Sequence, residues 1–206
     1  MWEYRLIWMA APPPWWDATW TAAAAALRRQ SREPEQRPDT YLVLDDRPDV
    51  GLKLRGTDGE FEIKVRHDAR DGWELWEKTP FFGWNALEAA RFAALMQRDV
   101  PDGSIDAEAS AVDGVMRLLT AAELPWREVV LHKVRMQARA DDLVPGLSAN
   151  GIDPAWLAEL VEIAHGSRTA RSICFETMAP EARITLEGAA GASNMGYPAF
   201  LIDANG

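Results

Sequence analysis

The sequence has a single cysteine, Cys174, and no long apolar run. One cysteine excludes an internal disulfide framework and a zinc site built from several cysteines, and it suits a reducing compartment. No uncharged stretch reaches the roughly 18 to 20 apolar residues that a membrane span needs. A cytoplasmic protein with no membrane partner is therefore expected.

Positive charge is also scarce. The chain has 22 Lys and Arg against 32 Asp and Glu, which gives a formal net charge of -10. A surface of that sign repels nucleic acids, so general nucleic-acid binding is not expected. With 48% hydrophobic and 26% charged residues, the composition is that of an ordinary globular protein, and we expect residues 1–206 to form a single domain.

The few cations are concentrated in segments that alternate like β-strands. Residues 50–66 read VGLKLRGTDGEFEIKVR, and Gly56 to Gly59 is typical of a hairpin turn. Because successive side chains of a strand point to opposite faces, one face of this hairpin is apolar and the other is charged. The charged face carries Lys53, Arg55, Glu62, Lys64 and Arg66.

Further strands of this kind are predicted at residues 2–8, 39–44, 73–78, 128–139 and 171–178. Opposite their apolar side chains they carry Glu3, Arg5, Lys133, Arg135 and Glu176. His132 falls on the apolar face of its strand, where a core histidine is expected.

Helices are predicted between these strands. One begins near Asp17 in an alanine-rich segment, and Asn85 with Glu88 forms a capping-box pattern that opens another. A further helix is expected from about Ile105 to Ala122, so that a helical segment at about 84–122 joins two β-halves. Asp153 and Pro154 predict a helix that ends at Gly166, and residues 197–202 are expected to be a terminal edge strand or docking tail.

The predicted fold class is α+β, an antiparallel β-barrel or tunnel with helices packed outside. Its charged face has two interpretations. It is either the solvated side of an antiparallel sheet or the lining of a cavity for a chain of phosphates. Likewise, Glu3, Glu62 and Glu176 either balance charge within the cationic stripe or ligate Mg²⁺ or Mn²⁺.

Five of these segments, in their order along the chain, resemble the CYTH superfamily, the triphosphate tunnel metalloenzymes. They are DTYLVL, VGLKLRG, FEIKVR, LHKVR and SICFE. The resemblance implies that Lys53, Arg55, Lys64, Arg66, Lys133 and Arg135 bind phosphate. In the opening motif Glu-x-Glu-x-Lys, Glu3 and Arg5 match the last two charged positions, and Met1 stands at the first. In the closing strand, Cys174 stands two residues before Glu176, where a second carboxylate is frequent.

This resemblance implies a metal-dependent hydrolase of inorganic, nucleoside or thiamine triphosphate. Cationic walls would hold the triphosphate, and Mg²⁺ or Mn²⁺ would bridge it to the glutamates while water attacks the terminal phosphorus. No catalytic base is identified from the sequence. Two alternatives stay open, a non-catalytic phosphate-ligand or nucleotide-binding protein of the same fold, and an α+β protein that acts through partner contacts.

Overall fold

A computed structural model describes residues 1–9, 11–55, 60–99, 110–144, 149–180 and 183–203. The helices are α1 (Trp16–Arg29), α2 (Ala86–Met96), α3 (Ala111–Ala121), α4 (Ala140–Leu143) and α5 (Tyr197–Asp203). The strands are β1 (Trp2–Trp8), β2 (Glu35–Val43), β3 (Val50–Arg55), β4 (Glu60–Arg70), β5 (Trp73–Phe81), β6 (Arg127–Arg139), β7 (Ala149–Asn150), β8 (Leu157–His165), β9 (Arg168–Thr177), β10 (Thr185–Leu186) and β11 (Ser193–Asn194).

Nine of these strands form one sheet in the order β11-β1-β5-β4-β3-β2-β6-β8-β9. Strand β1 also pairs antiparallel with β9 along its whole length, so the strand order closes on itself as in an antiparallel β-barrel. The short strands β7 and β10 pair separately. The predicted fold class, α+β with an antiparallel barrel and helices against it, is confirmed.

The chain divides into two compact units. Unit 1 comprises Met1–Arg37, His67–Trp76 and Leu131–Gly196, and unit 2 comprises Pro38–Arg66, Glu77–Val130 and Tyr197–Gly206. Each unit has its own hydrophobic core. The expectation of a single domain over residues 1–206 stays a prediction.

In unit 1, helix α1 packs on the apolar face of the sheet. The alternating residues of β1 turn Trp2, Tyr4, Leu6 and Trp8 into this core, where they meet Ile173 and Phe175 of β9 together with Ala23 and Leu27 of α1. Trp8 and Trp16 lie in contact, with ring centroids 6.2 Å apart, and Trp16 stacks on Trp20 at 5.8 Å. The burial of these indoles anchors α1 to β1.

In unit 2, helices α2 and α3 cover the apolar face of β3 and β4. Leu52 and Ile63 of these strands are fully buried beside Phe92 of α2 and Leu118 of α3. Asn85 caps α2 as predicted, because its side chain accepts a hydrogen bond from the backbone N–H of Glu88 at 3.0 Å. In both units, then, a helix or pair of helices covers the apolar side chains of the strands.

The helix predicted from Asp153 to Gly166 is wrong. Asp153 accepts a hydrogen bond from the backbone N–H of Ala155 at 2.7 Å and shapes a turn, after which strand β8 begins at Leu157. Strand β8 pairs with β9 over its full length on one side and with β6 from Leu157 to Ala164 on the other. These tertiary pairings override the local helix-start pattern.

The terminal segment also differs from its prediction. Residues 197–203 form helix α5, with Pro198 in the first turn, where the backbone N–H that proline lacks is not needed. The ring of Pro198 lies against Gly51, whose added Cβ would meet proline Cγ at 3.0 Å.

Two predicted features lie partly or wholly outside the described residues. They are the turn at Gly56 to Gly59 and the start of a helix at Ile105. Within the described part of that helical segment, α3 begins at Ala111 with Ser110 as its N-cap. None of the helices that the structure describes is both long and apolar enough to cross a membrane.

Candidate functional site

The charged side chains of unit 1 lie on one face of β1, β9 and β8. Arg5 of β1 is directly opposite Cys174 of β9, and Cys174 is directly opposite Glu159 of β8. One step along the same face, Glu3 is opposite Glu176. Directly opposed residues of an antiparallel pair share a face, so these five residues lie together, opposite the apolar core. All five are buried.

Arg5 is held by three groups on this face. Its Nη1 donates hydrogen bonds to Glu159 Oε1 at 3.0 Å and to Ser172 Oγ at 3.1 Å. Its Nη2 lies 3.8 Å from Glu3 Oε2. The guanidinium is 5% exposed, so its charge is compensated almost entirely by protein groups.

Arg135 of β6 shares the same glutamate. Its Nη1 donates to Glu159 Oε2 at 3.2 Å, and its Nε donates to Glu35 Oε2 at 2.9 Å. Lys133, two residues earlier on β6, is also buried. Burial by itself raises the pKa of Glu159, but Arg5, Arg135 and Lys133 lower it to about 2. Glu159 is therefore a fully ionised carboxylate between two guanidinium groups.

Two carboxylates and a thiol on this face lie close enough to share a cation. One ligand atom from each of Glu3, Cys174 and Glu176 lies within 4.8 Å of the other two. Burial raises the pKa of the Cys174 thiol well above its usual range. Arg5 opposes this shift, and the glutamates Glu3 and Glu176 reinforce it. The thiol is thus protonated at neutral pH, and the carboxylates are the strong ligands of the cluster.

Unit 2 carries a second charged face on β2, β3 and β4. Lys53 is directly opposite Tyr41 on one side and Glu62 on the other. Its Nζ lies 3.9 Å from Asp39 Oδ2 and 3.8 Å from Glu62 Oε1. The second oxygen of Glu62 accepts a hydrogen bond from Arg55 Nη2 at 2.6 Å. Two cations and two carboxylates therefore form one network in this unit, in which Lys53, Asp39 and Glu62 are buried and Arg55 is partly exposed.

The buried position of Lys53 changes its acidity. Burial lowers the pKa of Lys53 to about 8; Asp39 and Glu62 oppose this shift, whereas Arg55 and Lys64 add to it. Lys64 lies on the same face, two residues after Glu62 on β4, and is partly exposed. Arg66 is partly exposed at the next position of that face.

The structure thus sorts the ten predicted site residues into two groups. Unit 1 holds Glu3, Arg5, Lys133, Arg135 and Glu176, and unit 2 holds Lys53, Arg55, Glu62, Lys64 and Arg66. Six of the ten are buried, which rules out a wholly solvated face as their explanation: Glu3, Arg5, Lys53, Glu62, Lys133 and Glu176. Their roles in binding stay predictions.

Glu62 is not part of the carboxylate cluster of unit 1. It belongs to unit 2, where it pairs with Arg55 and Lys53. The pairing of Glu62 with two cations agrees with charge balance, whereas Glu3 and Glu176 have the spacing of metal ligands; metal ligation by any of the three stays a prediction.

Two buried acidic residues of these faces were missed from the sequence, Glu159 and Asp39. Glu159 lay in the segment predicted as a helix, and Asp39 was treated only as the start of a strand. The expectation that His132 is a core histidine is also wrong. His132 is exposed, because its neighbours Leu131 and Lys133 take the buried side of β6 at this point.

No family model matches the chain, and no curated protein matches it. Among solved structures, it is similar to a candidate adenylate cyclase (bh2851) from Bacillus halodurans, with 13% identity, a TM-score of 0.39, and coverage of 87% of this chain and 82% of that one. It is also similar to HpAC1 from Hippeastrum, a candidate adenylyl cyclase with a dominant triphosphatase activity (13% identity, TM-score 0.40, 87% and 80% coverage).

A third similar structure is the PH1819 protein from Pyrococcus horikoshii, with 13% identity, a TM-score of 0.44, and coverage of 98% of this chain and 99% of that one. At this identity and with TM-scores below 0.5, the similarities carry no inference about the activity of this chain.

Proposed function

We propose that this protein binds a small triphosphate-containing molecule together with a divalent metal ion and hydrolyses its terminal phosphoanhydride bond. The substrate class is inorganic, nucleoside or thiamine triphosphate. The observation that carries the proposal is the buried face of unit 1, where the carboxylates of Glu3 and Glu176 come within 4.8 Å of each other beside the guanidinium of Arg5. Carboxylates placed next to phosphate-binding cations are the groups that metal-assisted phosphoryl transfer requires.

The donor set fits Mg²⁺ or Mn²⁺. Both ions prefer oxygen ligands and keep positions for water and for phosphate oxygens, so two protein carboxylates are sufficient. The carboxylate oxygens of Glu3 and Glu176 suit these hard cations better than the soft sulfur of Cys174 does. When bound, the metal would neutralise charge on the phosphates and polarise the bond that breaks.

The chain's own cations supply the rest of the proposed chemistry. Arg5, Lys133 and Arg135 would bind phosphate oxygens on the unit 1 face, with Arg presenting a planar fork of donors and Lys a compact charge. Because these side chains are largely buried, water is restricted around them and their electrostatic effect on a transferring phosphoryl group is strong. The cationic face of unit 2 is, in this proposal, a further phosphate-binding surface through Lys53, Arg55, Lys64 and Arg66.

A second candidate function is phosphate-ligand or nucleotide binding without catalysis. Two positions favour it. Met1 stands where the resemblance places a first glutamate, and Cys174 stands where a second carboxylate of the closing strand is frequent. The resemblance implies two carboxylates in the opening strand and two in the closing strand, whereas this chain has one in each. Two carboxylates bind a cation more weakly than four, so the protein could bind a phosphorylated ligand without hydrolysing it efficiently.

The ligand class and the location are part of the same proposal. A net charge of -10 favours a small phosphorylated molecule over a nucleic acid. The single cysteine, Cys174, is free and buried, which suits a reducing compartment. We therefore place the protein in the cytoplasm.

Phosphate release and calorimetric binding together test these proposals. Purified protein is assayed with tripolyphosphate, ATP and thiamine triphosphate in the presence of Mg²⁺ or Mn²⁺. We expect Glu176→Gln to lower the rate of release by about a hundredfold or more, because a metal ligand supplies several kcal/mol of transition-state stabilisation. Lys64→Ala tests the face of unit 2 in the same way. Glu162→Gln is the matched control, since Glu162 lies on the same sheet but pairs with Arg171 outside this face.

The outcomes separate the two candidates. Release that requires metal and is lost in Glu176→Gln, but kept in Glu162→Gln, supports the hydrolase. Binding with a micromolar or tighter dissociation constant and no release supports the non-catalytic alternative. A folded protein that neither binds nor cleaves any of the three compounds refutes both.

A further inference from the structure

Glu159 has an unusual position for a residue of a phosphate-binding face. Each of its two carboxylate oxygens accepts a hydrogen bond from a different arginine, Oε1 from Arg5 at 3.0 Å and Oε2 from Arg135 at 3.2 Å. These two arginines are the guanidinium groups of unit 1 that the proposed function assigns to phosphate. A carboxylate that binds two guanidinium groups occupies donors that phosphate oxygens would otherwise use.

Glu35, at the outer edge of the face, also binds one of these two arginines, Arg135. Its Oε2 accepts a hydrogen bond from Arg135 Nε at 2.9 Å and also lies 2.9 Å from Nη2 of the same arginine. Glu35 is 43% exposed, whereas Glu159 is 7% exposed. Arg135 is thus bound on one side by a buried carboxylate and on the other by an exposed one.

Carboxylates outnumber cations on the unit 1 face. Its three cations are Arg5, Lys133 and Arg135, and its carboxylates are Glu3, Glu159, Glu176 and the partly buried Glu74, which is directly opposite Glu3, so the sum of formal charges is one negative charge. Without Glu159 the sum would be zero, and with a divalent cation between Glu3 and Glu176 it would be one positive charge. A negative face repels a polyanion, whereas a positive face attracts it strongly at short range.

From this geometry we infer that Glu159, supported by Glu35, is a specificity-determining residue that occupies Arg5 and Arg135 as a resident counter-ion. A phosphorylated ligand therefore binds the unit 1 face only together with a divalent cation. The inference rests on the proposed function, because it takes this face to be the phosphate-binding one. In this inference, Glu159 makes the face bind the complex of the ligand with a metal ion in preference to the metal-free ligand.

A purely structural role for Glu159 makes a different prediction. In that case Glu159→Gln lowers stability and leaves the effect of metal on ligand binding unchanged. If Glu159 only orients Arg5 and Arg135, then Glu159→Gln should bind tripolyphosphate more weakly both with and without metal. Only a counter-ion predicts that binding without metal becomes tighter when the carboxylate is removed.

The experiment is calorimetric titration of the full-length protein with tripolyphosphate, in EDTA and in excess Mg²⁺. The quantity compared is the ratio of the dissociation constant in EDTA to that in Mg²⁺. For Glu159→Gln we expect this ratio to fall about tenfold or more, through tighter binding in EDTA, as the loss of one nearby charge implies. Glu159→Asp keeps the charge and should keep the wild-type ratio.

Two further variants complete the design. Glu162→Gln removes the same charge from the same strand, but Glu162 pairs with Arg171 and is 41% exposed, so its ratio should equal that of the wild type. Glu35→Gln changes an exposed residue and is not expected to prevent folding. Glu35→Gln should lower the ratio of the two dissociation constants several-fold, as Glu159→Gln should. If Glu159→Gln does not fold, the result for Glu35→Gln tests the inference in its place.

The outcomes distinguish this inference from the proposed function. Wild-type binding in Mg²⁺ with an unchanged ratio in Glu159→Gln and Glu35→Gln overturns the inference and leaves the proposed function standing. Tripolyphosphate binding by Glu159→Gln in EDTA, without any wild-type binding in Mg²⁺, supports the occupation of Arg5 and Arg135 by Glu159, but it overturns the selection of the metal complex and, with it, the proposed function. Absence of binding in every folded variant overturns both.

Discussion

Replacement of Lys53 by methionine provides a test of the unit 2 face that needs no ligand. The Lys53 side chain is 10% exposed, and burial lowers its pKa from 10.5 to about 8 despite the nearby carboxylates of Asp39 and Glu62. Methionine has a similar length but no charge. The difference in free energy of unfolding between the wild type and Lys53→Met should therefore depend on pH.

The sign of this dependence follows from the direction of the shift. Below pH of about 8 the amine is protonated in both the folded and the unfolded chain, so the cost of burying its charge is present in full. Between that pH and 10.5 the unfolded chain still binds the proton that the folded chain has released. The free energy of unfolding of the wild type, relative to Lys53→Met, thus rises with pH across this interval.

The magnitude follows from the same two pKa values. At about 1.36 kcal/mol per pKa unit, the full rise is about 3 kcal/mol, of which about 2 kcal/mol is reached by a pH of about 9.5. Urea unfolding of both proteins at a series of pH values measures it. Between about pH 6 and 7 the difference should be constant, which is the internal control. If the difference in free energy of unfolding between the two proteins stays constant up to about pH 9.5, or falls, then the lowered pKa of a buried Lys53 is refuted.

Three further predictions concern the fold around the two faces. Gly114→Ala should lower the free energy of unfolding by about 1 to 3 kcal/mol in urea, because an added Cβ would clash with the indole ring of Trp84. Gly83→Ala, with no atom within 4 Å of the added Cβ, should change this free energy by less than about 0.5 kcal/mol, and equal effects of the two substitutions would contradict the packing. Asn85→Ala should cost about 1 kcal/mol in the same assay through loss of its bond to the N–H of Glu88, and an unchanged unfolding midpoint would contradict the cap. Cys174 should react with a thiol reagent about a hundredfold more slowly in the native protein than in urea, since it is fully buried and its pKa is raised, and equal rates would place it at the surface.

Strands with alternating side chains were the features best predicted from the sequence. Strand β1 spans Trp2–Trp8 as predicted, and β6 begins one residue before its predicted start and ends at the predicted residue, Arg139. In these segments each face has one chemical character, so the period of two is visible without tertiary information. The same alternation identified the cations that the structure buries, such as Arg5 and Lys133.

Strand β8 shows where this reasoning fails. Both of its faces are largely apolar, with Leu160 on one side and Val161 and Ile163 on the other, so no alternation separates it from a buried helix. The helix-start residues Asp153 and Pro154 then decided the prediction wrongly. The outcome depended on hydrogen bonds to β6 and β9, which are distant in sequence.

This one error also hid the residue on which the charge of the unit 1 face depends. As part of a helix, Glu159 had no predicted relation to Arg5, which lies 154 residues earlier in the chain. The register of β8 with β9, and of β9 with β1, brings them to one face. Signals that could have identified it were the β-branched Val161 and Ile163, which favour a strand, and the buried arginines, which require a nearby carboxylate.

The indole rings between α1 and β1 provide unit 1 with its own optical reporter. Trp8, Trp16 and Trp20 form a continuous row, with neighbouring ring centroids 6.2 and 5.8 Å apart. Aromatic rings held at such distances in a fixed chiral arrangement couple electronically, and they give a near-ultraviolet circular dichroism signal that is lost when side-chain packing is lost. Detachment of α1 alone would therefore remove the part of this signal that comes from the row, while the Trp73–Trp156 pair, with ring centroids 5.1 Å apart, keeps its own contribution. The strands would keep their far-ultraviolet spectrum, so local opening of this helix can be followed as a partial loss of the near-ultraviolet signal, without any label.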